Sequence, residues 1–395
     1  MIFIEPTLKN ERNMKKILFW TVLALLPGKM QAEDFATLLQ QIEQHNPTLR
    51  AVRDGVEAEK LENHTGLTLA DPEVEFSHFW GRPAGVGVRN DVSVSQTFDY
   101  ATLSGMKRRM ARSRDELAEV GYEERRLQVL LEASQLMVEV VYLNRCITEH
   151  RQQQQEMQHA LKLSEKAYAE GRITRLELNT PRLALAEVHA SLCEEEMLRE
   201  QALLRLRYLN GGQEVTLQDT AYSVPKSLGR GFLSVSRQRE EAEQRVAEQE
   251  VRMARSAAVP QLTAGYASEM TQEEKFHGFT LGMNVPLWSN RRNVKRAKAQ
   301  LAAARSEQQD ALLRLKYEYE AKRARAERLR TYAATLAGQL TSLSSKEILH
   351  AAFQRGDVSA LDYYVEIKSD YELRQKFFEA ERDWQLAEVA LAFSS

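Results

Sequence analysis

Three landmarks recur along this chain at almost one interval, and that repetition limits what it can fold into. Pro72 and Pro260 are 188 residues apart, Phe98 and Leu287 are 189 apart, and the segment Gly171 to Glu177 (GRITRLE) returns 185 residues later as Gly356 to Asp362 (GDVSALD). A chain duplicated in this way builds two copies of one supersecondary unit. Each copy reads helix, hairpin, long helix, glycine turn, helix. The first copy spans 33–209 and the second 234–395. Between them, 210–233 carries Gly211-Gly212, Pro225 and Gly229 and reads as a linker.

Helical tracts are predicted at about 35–65, 103–169, 174–209, 234–257, 288–354 and 359–393. Apolar residues recur at threes and fours, as in Leu127, Leu131, Ser134, Val138 and Val141, and again in Leu301, Ala304, Leu312, Leu315 and Tyr319. The stripes are narrow and the opposite faces charged, which is the pattern of long coiled-coil helices with one wet side. A helix over 103–169 would run roughly 100 Å at 1.5 Å per residue, longer than a compact domain needs.

Four short segments follow a period of two instead. Segment 73–80 puts Val74, Phe76, His78 and Trp80 on one face, and 91–98 puts Val92, Val94, Gln96 and Phe98 on one face with Asp91, Ser93, Ser95 and Thr97 on the other. Likewise 261–269 sets Leu262, Ala264 and Tyr266 against Thr263, Gly265 and Ala267, and 277–285 sets Phe279, Leu281, Met283 and Val285 against Gly278, Thr280, Gly282 and Asn284. These are two hairpins, turning at 81–90 and 270–275. An apolar and a small or polar face suit a transmembrane β-barrel, although a soluble hairpin on a core alternates in the same way.

Export supplies the context. Residues 14–32 read MKKILFWTVLALLPGKMQA, with a basic start at Lys15-Lys16, ten apolar residues from Ile17 to Leu26, and Ala32 suited to cleavage. This is a signal-peptide pattern, so 1–32 is expected to be removed, with Met14 as the fitting translation start. Four strands cannot close a barrel, and open sheet edges are not tolerated in lipid, so several chains would share one. The expected fold is mainly α with a small β part. Antiparallel coiled-coil helices form a periplasmic α-barrel, and four strands per chain enter a shared transmembrane β-barrel.

Other classes fit less well. Lys and Arg number 54 against 56 Asp and Glu, without the basic excess of a nucleic-acid binder. Neither GxSxG, a P-loop, HExxH nor CxxC occurs, and the eight histidines lack metal-ligand spacing, so no catalytic, cofactor-binding or metal residue is assigned. A secreted coiled-coil scaffold explains the helices and the signal but not the clean alternation or the repeat. A periplasmic adaptor has one helical hairpin in a β-rich domain, whereas this chain has two helical halves.

The ordered motifs resemble the TolC family of outer-membrane efflux channels, in the branch that includes CusC and CzcC. They are Asn46-Pro47, Pro72 and Pro260 before the hairpins, Pro286-Leu287-Trp288 after the second, and the twin turns Tyr168-x-x-Gly171-x-x-Thr174-x-Leu176-Glu177 and Phe353-x-x-Gly356-x-x-Ser359-x-Leu361-Asp362. The second half lacks an Asn-Pro, and Phe353 stands where tyrosine is usual. The resemblance covers essentially 33–395. It implies a homotrimer with a twelve-stranded barrel in outer-membrane lipid, a helical tunnel across the periplasm and an equatorial region around 210–234. It also implies a periplasmic adaptor and an inner-membrane pump as partners, with metal cations or small toxic compounds as cargo and no cofactor.

The resemblance also implies that the glycine turns meet the adaptor. Gly171, Ile173, Thr174 and Leu176 form one tip, and Gly356, Val358, Ser359 and Leu361 the other. Asp362, with Glu177 and Glu366 nearby, is expected at an acidic constriction, because threefold symmetry makes each tip residue a ring of three. The family's second aspartate, three residues further on, corresponds to Val365. Glu177 and Asp362 equally suit the third position of capping boxes begun by Thr174 and Ser359. Cys146 and Cys193 lie 25 residues before and 22 after Gly171, so a hairpin turning there sets them at similar heights as a candidate disulfide, provided that they face each other.

Overall fold

The computed structural model describes residues 35–394 except 84, 86, 224–229, 287–289 and 344–345. The predicted signal at 1–32 and the Leu287-Trp288 part of the motif after the second hairpin lie outside the described residues. The first half runs α1 (Phe35–His45), α2 (Pro47–Asn63), β1 (Glu73–Trp80), β2 (Val88–Phe98), α3 (Tyr100–Leu103), α4 (Met106–Ala169) and α5 (Arg175–Leu209). The second runs α6 (Phe232–Ser256), β3 (Gln261–Met270), β4 (Lys275–Asn284), α7 (Asn290–Leu343), α8 (Lys346–Arg355) and α9 (Ala360–Ala392).

The tract predicted over 35–65 is two helices. Pro47 drives the residue before it out of the helical region, and Asn46 sits extended at φ −62°, ψ 120°. Its Oδ1 accepts from the Leu49 N–H at 2.9 Å, capping α2, while its Nδ2 donates to the Leu209 carbonyl at 2.8 Å. The Asn-Pro corner thus ties the start of the chain to the end of α5. Similarly, 103–169 is broken at Gly105, whose φ of 69° separates α3 from α4. The 64 residues of α4 span about 96 Å.

The core sits midway along α4. Leu38 and Ile42 of α1, Leu127, Met137 and Val141 of α4, Leu206 and Leu209 of α5, Leu217, and Val389 and Phe393 near the chain end form one buried cluster. Of segment 210–233, the described residues Val215, Leu217, Tyr222 and Phe232 pack on this cluster. Asn144 donates to the carbonyls of Leu217 and Asp219 at 3.1 and 3.0 Å, and the Phe232 N–H to the Phe393 carbonyl at 2.7 Å.

The two hairpins join into one antiparallel sheet of order β1-β2-β3-β4. The register runs Val74 to Val94 to Tyr266 to Phe279, so the second strand of the first half meets the first strand of the second half at the central seam. Its free edges are β1 and β4. Beyond the sheet, α4 packs against α2, α5, α6 and α9, while α7 packs against α6 and α9. The helical layer therefore has α2 and α5 on one flank and α7 on the other, the same flanks that lead into β1 and out of β4.

Candidate functional site

Cross-strand register fixes which side chains share a face of the sheet. Val74, Phe76, Trp80, Val92, Val94, Leu262, Tyr266, Phe279, Leu281 and Met283 point one way, and all are exposed. Phe279 and Leu281 are 89% and 88% exposed. Polar groups interrupt this face at a few places: Gln96 donates to the Ala70 carbonyl at 2.7 Å, Ser268 and His277 share the row of Phe76 and Val92, and His78 pairs with Asn90. The other face is mostly small or polar, with Ser93, Ser95, Thr97, Thr263, Gly265, Ala267, Gly278, Thr280 and Gly282. Among the described residues no helix is long and apolar enough to cross a membrane.

At the opposite end of the helices lie the twin turns, and their geometry repeats as their sequence does. Gly171 has φ 72° and donates to the Tyr168 carbonyl at 3.0 Å, while the Arg172 N–H reaches Ala167 at 2.9 Å. Gly356 has φ 81°, with bonds of 3.0 Å from its N–H to Phe353 and from the Asp357 N–H to Ala352. Both are Schellman closures, which need positive φ at the glycine. Each new helix then opens on a hydroxyl cap. The Glu177 N–H donates to Thr174 Oγ1 at 3.3 Å, and the Thr174 N–H donates back to Glu177 Oε2 at 2.6 Å. Those bonds to Thr174 hold the Glu177 carboxyl below the usual glutamate range. Asp362 is one carbon shorter and behaves differently: its N–H donates to Ser359 Oγ at 3.1 Å, and its carboxylate accepts the Ser359 hydroxyl at 2.6 Å.

The predicted tip residues separate in character. Leu176 is 79% exposed, whereas Val358 packs against a buried cluster of Met157, Val188, Tyr363 and Ile367. Ile173 is half-buried, and the side chain of Leu361 lies outside the described residues. Phe353, the departure from tyrosine, stacks on the buried Tyr363 ring with centroids 4.3 Å apart. Asp362 and Glu366 are both exposed, one turn apart on α9. Glu177 stands on α5, and no bond between described residues joins it to either.

No family model and no curated protein matches the chain by sequence. Solved structures do match its fold. A membrane protein from Pseudomonas aeruginosa superposes with a TM-score of 0.78 at 16% identity, over 91% of this chain and 89% of that one. The transmembrane channel CusC gives 0.77 at 16% identity over 92% of each chain. The outer membrane protein VceC from Vibrio cholerae gives 0.72 at 16% identity, over 91% and 95%. The chain has the TolC-type channel fold. A fold of the TolC type accounts for two tandem halves with one hairpin each. The described residues contain one four-stranded sheet, with no second sheet over its apolar face and no β-rich domain around a single helical hairpin.

Within the TolC-type fold the two cysteines stay apart, which corrects the candidate disulfide. Both are free thiols, Cys146 buried and Cys193 exposed. The two side chains do not face each other. Cys146 packs with Tyr142, Leu143 and Phe378, and Cys193 lies beside His189 on its own helix with Sγ 3.3 Å from Nδ1. Burial pushes the Cys146 thiol up to about 12. Non-reducing peptide mapping should find both thiols free, with Cys146 alkylated at neutral pH only after unfolding; a Cys146–Cys193 cross-linked peptide would contradict this packing.

Sequence reasoning missed the ties between the two helical hairpins. Lys346 of α8 lies 3.0 Å from Glu156 Oε1 of α4 and donates to the Tyr371 hydroxyl at 2.7 Å, and that hydroxyl donates to Glu156 Oε2 at 2.9 Å. Burial and the adjacent Glu156 raise Tyr371 well above the usual phenol range, so it remains a donor. Lys368 bonds both oxygens of Glu187 at 2.9 Å. Nothing in a single sequence marks these charges apart from dozens of others on wet helical faces. Among the described residues no group of three or more His, Cys, Asp or Glu is placed to hold a metal ion.

Proposed function

We propose that the chain is the outer-membrane channel of a three-part export system, a passive conduit across the periplasm and outer membrane of a Gram-negative cell. The observation that carries this reading is that sheet and helical layer are open on the same flanks. β1, α2 and α5 present one flank and β4 and α7 the other, with Leu183, Met197 and Leu204 of α5 and Leu313, Tyr317 and Tyr332 of α7 left exposed. A head-to-tail ring joins unlike flanks, and three chains of four strands close a twelve-stranded barrel without a free edge. The apolar sheet face then meets lipid, and the small-residue face lines the pore.

In this reading the tips at Gly171, Ile173, Thr174, Leu176 and Gly356, Val358, Ser359, Leu361 meet a periplasmic adaptor, which couples the conduit to an inner-membrane pump. Exposed Leu176 contributes contact area, and half-buried Val358 shapes the tip from within. Asp362 and Glu366 form the periplasmic constriction, with Glu177 holding its helix start. The cargo is metal cations or small toxic compounds.

Two measurements test this. A cysteine replacing Glu273, in the loop between β3 and β4, should react with a membrane-impermeant maleimide on intact cells in a background without Cys146 and Cys193. The purified protein should be a trimer that conducts in planar bilayers, and Asp362→Asn should weaken block by multivalent cations from the helical side. An unlabelled loop together with a soluble monomer would remove the channel reading. Unchanged block with lower thermal stability would make Asp362 a cap and move the gate elsewhere.

A further inference from the structure

The wet face of the sheet is not uniform from end to end. Toward α2 and α7 its rows are Thr97, Thr263 and Gly282, then Glu73, Ser95, Gly265 and Thr280, then Glu75, Ser93, Ala267 and Gly278. The next row, toward the hairpin loops, is Ser77, Asp91, Glu269 and Phe276, followed by Phe79 beside Arg89. Aromatic rings thus enter this face at the loop-side end only, while carboxylates run along it from Glu73 and Glu75 to Asp91 and Glu269. Phe79 and Phe276 are 51% and 55% exposed on a face that otherwise avoids large apolar groups.

The charges around those rings are unbalanced. Arg89 is the one cation in these rows, and it is already engaged: Nη2 lies 2.6 Å from Asp91 Oδ2, Nε lies 3.1 Å from Glu269 Oε1, and the guanidinium stands 5.3 Å from the Phe79 ring centre. Arg89 on Phe79 shows that this ring can receive a cation on its face. Glu73 and Glu75 form no ion pair with a described residue; the Ser77 hydroxyl donates to Glu75 at 3.3 Å.

We propose that the loop-side end of this lining is a low-affinity subsite for amphiphilic organic cations, with Phe79 and Phe276 receiving the apolar body and the Glu75 carboxylate the charge. The inference rests on the channel reading, since only a closed ring turns this face into an enclosed surface. There the two phenylalanines, which lie on opposite edge strands, come together from adjacent copies. The chemistry selects this class. A hydrated inorganic cation gains nothing from phenylalanine, an anion is repelled by the carboxylates, and a neutral apolar molecule leaves the charge unused. Weak binding is what a conduit needs, because cargo must leave.

Tetraphenylphosphonium is the probe, added to purified trimer in planar bilayers from the loop side, with block expressed relative to each variant's own open conductance. The double variant Phe79→Ser/Phe276→Ser should raise the half-blocking concentration about tenfold, while block by hexaamminecobalt(III), which has charge but no apolar body, stays within about twofold. Glu75→Gln should weaken block by both probes, and it keeps the test open if the double variant does not assemble. A conducting trimer whose tetraphenylphosphonium block is unchanged in the variants overturns the subsite and leaves the channel reading standing. A wild-type protein that does not conduct overturns both.

Discussion

An arginine at Phe279 should keep the chain out of the outer membrane while its helices still fold. Phe279 lies midway along β4, 89% exposed on the apolar face, with its ring edge-on to Tyr266 at 5.9 Å. A charge facing lipid near the bilayer centre costs about 2–4 kcal/mol per copy, and a trimer carries it three times. The neighbouring Thr280 makes the comparison clean, because a period of two puts it on the opposite face. Thr280→Lys should therefore insert and assemble, whereas Phe279→Arg should leave little heat-modifiable trimer in the outer-membrane fraction. Equal recovery of both variants would mean that the two faces have been assigned to the wrong media.

Gly211→Ala should have the largest effect of any change far from the sheet. Gly211 has φ 68°, and a Cβ there would stand 2.5 Å from the His45 carbonyl oxygen. That oxygen belongs to the backbone of the corner in which Asn46 holds the Leu209 carbonyl, so the obstacle cannot rotate away. Strain at positive φ and overpacking together cost on the order of 3 kcal/mol or more. Gly66→Ala supplies the control, since φ is 66° but nothing lies within 4 Å of the added carbon. It should lose about 1 kcal/mol, the strain alone. Thermal melts of the two trimers measure the difference, and equal losses would show that the joint between α1 and α5 yields under load.

Much of this architecture is legible in the residues because the determinants are local. Gly171 and Gly356 end helices because each C-terminal turn needs positive φ, and Thr174 and Ser359 restart them because a hydroxyl can cap the next turn. Alternation placed each strand to within a few residues, missing Val88 to Asn90 of β2, which follow the first hairpin turn. What is not legible depends on contacts between distant parts. The β2–β3 seam, the separate faces of Cys146 and Cys193, and the Lys346–Glu156–Tyr371 tie all turn on rotation and register between helices that one sequence leaves free. The aromatic end of the wet face was written in the alternation too, but a hairpin read alone does not say which of its faces is wet.

The seam between the two halves sets an order of events for the nascent chain. Thr97 and Thr263 bring their hydroxyls within 3.0 Å across 166 residues of sequence. Each helical hairpin closes through a short turn and each strand pair through its own loop, so these can form as the chain arrives. The β2–β3 ladder cannot. It must wait until β3 has been delivered, and it bears the loop-closure entropy of everything between. Until then the apolar strands exist as two separate ribbons with every edge open, the form of β-structure most exposed to mispairing. Within one chain the β2–β3 seam is therefore the last part of the sheet that can close, and the turns and caps of the helices need not wait for it.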